Sequence, residues 1–318
     1  MESGMSVNVI IQITNLRIIL MQPLFQRTVK RLHKPEYFYQ PLRLIDRLIY
    51  KLNPPDSGMQ KIKLIWGRDL IANPQQTIGF SLATYGLYDL ALSEMILRLV
   101  KPGDTVIDGG ANVGYTSCLM LDCLKGKGRL LSYEPLPELF EVLKKNLDDG
   151  NQIAEPYMLA LSDKVGSAVI TLPSSFNSND GVATLEGKEI QGNKITVSTV
   201  TIDSLNLNAK VRLMKLDVEG HELSVLKGAI KTLDRDVFDY IIYEDLAGAG
   251  GETLKFLESR GFHVYKIVKE FSGISLKDPS FEINLSYEPD NFLATKDTGI
   301  VEKINSKKHW DLFKWKKE

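Results

Sequence analysis

Residues 105–115, TVIDGGANVGY, constrain this chain more than any others: they read as a buried strand that breaks into a tight loop and opens a helix. Val106 and Ile107 carry the strand character, and Gly109, Gly110 and Gly114 let the backbone turn without Cβ obstruction. A strand, glycine loop and helix in that order belong to an α/β sheet, whose ligands sit just beyond the strand ends. The spacing runs Asp108-x-Gly110-x-Asn112-x-Gly114, and it does not contain the G-x-G-x-x-G of dinucleotide binders. Asn112 stands where a further glycine would fit, and asparagine tolerates left-handed backbone better than other non-glycine residues.

The rest of the chain repeats the alternation. Leu90, Leu92, Met95, Ile96 and Leu99 recur at helical spacing from Asp89 to Leu99, and Lys101-Pro102-Gly103-Asp104 turns the chain into the first strand. A second strand is expected over Arg129 to Tyr133, a helix over Pro137 to Leu147, and a third strand over Tyr157 to Leu161. Between Gly166 and Ser198 two short alternating runs flank a polar loop, Pro173 to Gly192, which predicts a β-hairpin beside the sheet. Strand four is expected at Arg212 to Leu216 with a helix running on to Leu233, strand five at Tyr240 to Tyr243, and two more strands at His263 to Val268 and Asn291 to Thr295. Such alternation predicts a mostly parallel sheet covered by helices on both faces. The expected division is an N-terminal accessory segment over 1–78, a main domain over 79–300 and a tail over 301–318.

Composition sets limits. A net charge of −1 over 318 residues gives no global attraction for nucleic acid or anionic lipid and leaves only local patches to provide it. Cys118 and Cys123, with no C-x-x-C pair, read as core residues of a protein in a reducing, cytoplasmic compartment. The apolar run from Val7 to Phe25 is interrupted by Gln12, Asn15, Arg17 and Gln22. A central arginine is expensive in a spanning helix, so the run is expected to pack on the body or to make peripheral membrane contact. Residues 26–56 are basic and aromatic and end in Pro54-Pro55.

The expected strand ends carry the acids. Glu134, about 20 residues beyond Gly114, stands where a carboxylate accepts from ribose hydroxyls. Asp163 either accepts from an adenine amine or stabilises the turn to Gly166. Asp217 and Glu219 follow strand four, with His221 and Glu222 opening the next helix, and Glu244 and Asp245 follow strand five. Acids that close repel one another in a partly dry cleft unless a cation, a donor or a proton intervenes. One of them, or His221 with its ordinary pKa near 6.5, fits a general base. Alternatively Asp217 with Glu244 or Asp245 holds a divalent cation.

The segments VKPGDTVIDGGANVGYTS, LLSYEP, LALSD and LMKLDVEGHELSVLKGA, in that order, resemble the FkbM family of S-adenosylmethionine-dependent methyltransferases. The resemblance implies a Rossmann-like class I methyltransferase fold, seven-stranded and mostly parallel with an antiparallel last strand. It implies S-adenosyl-L-methionine as cofactor and O-methylation of a glycan or natural-product hydroxyl. Asp108, Gly110, Asn112 and Gly114 match its first motif, and Gly110, Asn112 and Gly114 would line the methionine part of the cofactor. Glu134 would hold the ribose, and Asp217 and Glu219 match its acidic positions beside the acceptor. The family varies at the place of His221. A nicotinamide-dependent oxidoreductase on a similar sheet and a non-catalytic cofactor-binding scaffold are the alternative readings.

Overall fold

In the computed structural model, residues 34–150, 152–173, 192–245, 247–282 and 290–316 are described. The apolar run 7–25 and the polar loop that follows Pro173 lie outside the described residues. Helices α1 (Pro35–Tyr39) and α2 (Arg43–Leu52) come first, then the antiparallel pair β1 (Gln60–Lys63) and β2 (Asp69–Ala72) and helix α3 (Thr77–Tyr85). Helix α4 (Leu90–Leu99) starts where its sequence requires, because Asp89 caps it by accepting from the Leu92 amide at 2.9 Å.

The central alternation then begins: β3 (Thr105–Gly109), α5 (Tyr115–Leu124), β4 (Arg129–Tyr133), α6 (Pro137–Leu147) and β5 (Ala154–Tyr157). Strands β6 (Ala160–Leu161), β7 (Gly166–Pro173) and β8 (Gly192–Val200) form a separate three-stranded sheet containing the expected hairpin. The chain returns through β9 (Val211–Leu216), α7 (Glu222–Lys227), α8 (Ile230–Asp234), β10 (Phe238–Glu244) and α9 (Glu252–Glu258). It ends in β11 (His263–Glu270), β12 (Gly273–Lys277), β13 (Asn291–Thr295) and α10 (Ile300–Asn305).

The large sheet has the order β12-β11-β13-β10-β9-β3-β4-β5. Pairing is parallel from β10 through β5, and β13 runs antiparallel to both its neighbours. Alternation along each strand divides the core between two faces: Val106 and Leu130 join one apolar cluster, Ile107 and Leu131 the other. The strand order reverses between β3 and β9. That switch point opens a crevice above the carboxyl ends of the strands.

Several expectations need correction. The large sheet has eight strands, not seven, because β12 adds a hairpin edge to β11. The third strand of this sheet is Ala154–Tyr157, whereas Ala160–Leu161 pairs with β8. The helix expected to reach Leu233 is broken at Gly228, where a Cβ would lie 2.1 Å from the Ser162 carbonyl oxygen. Helix α3 runs across residue 78, and the β1–β2 hairpin packs in the same apolar cluster as the central helices through Leu64, Trp66 and Leu70. Trp66 Nε1 and Arg68 both donate to Asp122 on α5, which ties the hairpin to the central helices.

The terminal segment packs against α4. The buried Glu94–Arg98 pair (2.8 Å) on α4 grips it: Glu94 accepts from the amides of Asp311 (3.0 Å) and Leu312 (2.9 Å), and Arg98 donates to the carbonyls of Ile304, Lys307 and His309. A buried ion pair gives most when its remaining hydrogen-bonding capacity is used, as it is here. Trp310 and Leu312 are buried in consequence. Cys118 and Cys123 are buried thiols, and burial pushes Cys123 up to about 12. Among the described residues no helix is long and apolar enough to cross a membrane.

Candidate active site

A cleft of about 290 Å³ lies over the switch point, close to the lower bound of roughly 300 Å³ for small-molecule sites. One wall is the β3–α5 loop. Gly110 (φ 71°), Asn112 (φ 51°) and Gly114 (φ 92°) take left-handed backbone at alternate positions, which accounts for the residue types at that spacing. A Cβ on Gly110 would stand 1.8 Å from the Asp217 carbonyl oxygen, so the two strand-end loops touch backbone to backbone. The Gly110 and Ala111 amides donate to the Tyr133 carbonyl at 3.0 and 2.9 Å. Asn112 steadies its own turn, with Oδ1 accepting from the Val113 amide at 2.7 Å.

Glu134 stands at the end of β4 against this loop. Its Oε2 accepts from the Asn112 amide and its Oε1 from the Leu136 amide, both at 2.9 Å. Each carboxylate oxygen retains a further lone pair, and Glu134 is among the residues that line the cleft. Burial raises Glu134 to about 7, against the opposing pull of those amides and of Lys215. Asp108 lies beneath the loop, not on the cleft wall. It is fully buried, accepts from Thr116 Oγ1 (2.7 Å) and Ser117 Oγ (2.6 Å), and so fixes the start of α5.

The opposite wall carries Asp217, Glu219 and Glu244. Behind them sits Lys215, a buried lysine near the end of β9. Its ammonium donates to the Gly110 carbonyl at 3.0 Å and lies 3.3 Å from Asp108 and 3.4 Å from Asp217. Burial alone would lower its pKa, but Asp108 and Asp217 outweigh that and raise it. Lys215 thereby joins the two loops through one charge. Glu219 occupies left-handed backbone (φ 54°), and Glu222 supports the same turn by accepting from the amides of Val218 (2.8 Å) and Gly220 (3.4 Å). Burial raises Glu219 to about 8, helped by the charges of Asp217 and Glu222. Glu244 is also raised to about 8, by burial first and then by Asp217, Glu219 and Glu222.

Other candidates point elsewhere. His221 is buried, with Nε2 at 3.0 Å from Ser162 Oγ, and it is not on the cleft wall. Asp163 is exposed beyond β6 and accepts from Ser162 Oγ at 3.3 Å, because the strand expected to aim it at the cleft ends earlier, at Tyr157. Asp245 accepts from the Ala247 amide at 2.8 Å and packs against Gly251. The expected cation site thus loses a ligand, and among the described residues no group of three or more His, Cys, Asp or Glu side chains is arranged to hold a metal. Tyr88, Thr77 and Ile78 complete the cleft. Tyr88 faces the acids, and its hydroxyl pKa is raised by burial and by the charges of Asp217, Asp89, Glu244 and Glu219. The sequence reading did not single out these three residues or Lys215. Only Lys215 had a local signal, a charge flanked by Leu213, Met214 and Leu216 just before the acids of the strand end.

Residues 108–264 match the family model of the methyltransferase FkbM domain. The hexuronic acid methyltransferase AglP of Haloferax volcanii is 30% identical over 158 residues, 48% of this chain and 61% of AglP. Methyltransferase 1 of Beauveria bassiana is 27% identical over 187 residues, 51% of this chain and 74% of that protein. The chain therefore spans less than two thirds of the length of AglP. Among solved structures, Aeropyrum pernix fibrillarin with natively bound S-adenosyl-L-methionine aligns at 16% identity over 75% of this chain and 94% of that one, with a TM-score of 0.38, a likeness too distant to bear on the site. The matched span opens at the aspartate beneath the glycine loop and runs past Glu244, so both facing walls fall within the stretch that is similar to the methyltransferase FkbM domain.

Proposed function

We propose that the protein transfers a methyl group from S-adenosyl-L-methionine to a hydroxyl of a glycan or related small molecule. The observation that carries this reading is the pairing of two unlike walls across one cleft: a backbone cradle with Glu134 on one side, three carboxylates on the other. The cradle fits the cofactor. Left-handed Gly110, Asn112 and Gly114 turn the loop so that residues 110–113 line the cleft, and Glu134 offers oxygens at the position from which ribose is held. When bound, the cofactor supplies an electrophilic methyl carbon.

The acids then have distinct tasks. Glu244, at the rigid end of β10, accepts the proton of the acceptor hydroxyl as its oxygen attacks. A base with a pKa near 8 works close to neutral pH, where it both accepts and releases protons. Asp217 is oriented by Lys215 and shapes the field around the attacking oxygen. Glu219 and Tyr88 line the acceptor side and offer hydrogen bonds to a polyol. A sugar acceptor agrees with the action named for AglP, and the free thiols agree with a reducing compartment such as the cytoplasm.

Isotope-labelled methyl transfer from S-adenosyl-L-methionine across a panel of neutral and acidic sugars tests the proposal. The expected result is label on oxygen, abolished in Glu244→Gln while calorimetric cofactor binding persists. Label on nitrogen or carbon would displace the hydroxyl reading, and absence of cofactor binding would remove it altogether.

A further inference from the structure

Helix α2 is docked inside out. Arg47 Nη1 donates to Tyr85 Oη at 2.7 Å, and its guanidinium lies 5.8 Å from the ring centroids of Tyr37 and Tyr85. Tyr50 Oη donates to the Pro74 carbonyl, and its ring meets Phe80 edge-on at 5.0 Å. The polar side of the helix is therefore the side that grips the body. Helical spacing puts Ile45, Leu48, Ile49 and Leu52 together on the other side, at 54, 56, 56 and 75% exposure, with Leu42 just before the helix at 74%. None of the ten helical residues is buried among the described residues.

An amphipathic helix of a soluble domain ordinarily turns its apolar stripe toward the core. Isolated exposed leucines need no explanation, but a continuous stripe of five does. Charge identifies what covers it. Between Arg27 and Lys63 there are nine lysines and arginines against three acids, in a chain whose net charge is −1. Arg27, Lys30, Arg31 and Lys34 precede α1 in the sequence, and Lys51 is exposed in the last turn of α2. An apolar stripe within a basic stretch complements an anionic lipid surface, which takes up both the side chains and the charge.

We propose that α2 is an interfacial helix that seats the protein on an anionic lipid surface, with Ile45, Leu48, Ile49 and Leu52 in the acyl boundary. A helix of this length is about 15 Å long and lies in the plane of the surface without crossing it. The docking bonds of Arg47 and Tyr50 hold the stripe outward whether or not lipid is present. This inference is independent of the methyl-transfer reading.

Vesicle flotation of the full chain tests it, with phosphatidylcholine alone and with phosphatidylcholine containing phosphatidylglycerol. The expected result is binding to the anionic vesicles that weakens with salt, and at least tenfold weaker partitioning for Ile45→Asp/Leu48→Asp with circular dichroism and the urea unfolding midpoint unchanged. Wild-type protein that stays off anionic vesicles overturns the proposal. So does a double variant that binds as the wild type does, since another segment would then make the contact. A lipid-free dimer that the double variant dissolves also overturns it, in favour of a second copy on the stripe.

Discussion

The two walls of the cleft are held by different physics. The wall from β3 and β4 is shaped by backbone: Gly110 has no room for a Cβ, three alternate residues are left-handed, and Glu134 is fixed by two amides. The wall from β9 and β10 is shaped by charge: Asp217, Glu219 and Glu244 crowd one cleft, and a single buried lysine touches the first of them. Steric fit leaves little tolerance for substitution. Charge balance lets an isosteric change keep the fold and alter only the proton chemistry.

The largest effect should come from the backbone wall. Gly110→Ala places a Cβ 1.8 Å from a backbone oxygen at φ 71°, and no flexible side chain is there to give way. Overpacking and left-handed strain each cost about 1–3 kcal/mol, so a loss of roughly 3 kcal/mol or more is expected, with no saturable cofactor binding by calorimetry. Binding at wild-type strength would break the contrast between the walls. Glu244→Gln should leave fold and cofactor affinity intact while reducing kcat by about 10²–10⁴, the span usual for a lost general base. The wild-type rate should rise with pH through about 8, as Glu244 loses its proton, and the glutamine variant should not show that rise.

How far the sequence shows all this depends on whether the deciding signal is local. The helix Pro137–Leu147 has the expected ends because a proline opens it, and α4 starts where expected because Asp89 caps it. The β3 loop was legible because left-handed backbone restricts residue type position by position. Strand β12 was not, since residues 273–277 become a strand only by pairing with β11. The break at Gly228 depends on a carbonyl from Ser162, far away in the chain. The site divides in the same way. A place after a strand identified Glu134 and Glu244, but it did not say which way a side chain turns, so His221 and Asp245 were included although neither lines the cleft. Thr77 and Ile78 reach it only through packing of the segment expected to be accessory, and Tyr88 reaches it from the turn before α4.

Glu134 joins the two kinds of wall and should show an intermediate effect. Hydrogen bonds to a charged group contribute about 1.5–3 kcal/mol, so Glu134→Ala should weaken cofactor binding by about 10–100-fold. The wild-type affinity should also fall as pH drops through about 7, because protonation turns one acceptor oxygen into a donor. Calorimetry at a series of pH values checks both. An affinity flat across that range would mean that Glu134 only braces the loop.

The smallest effect sharpens the charged wall. Glu219 is raised from 4.5 to about 8, chiefly by burial, so between those values the folded protein holds a proton that the unfolded chain has released. Stability must therefore fall as pH rises through that window, and the contribution is complete only below the unfolded value. Glu219→Gln removes this dependence. Against the wild type, the variant should be more stable at pH 9 by on the order of 1 kcal/mol, after allowance for solvent screening, and little changed at pH 4. Urea unfolding at the two pH values measures the difference. The same substitution removes a like charge from Glu244, which should shift the rising limb of the pH–rate profile to lower pH. A shift in both curves would show that the carboxylates titrate as one set. Movement in stability alone would mean that Glu219 bears on the fold without facing the reacting hydroxyl.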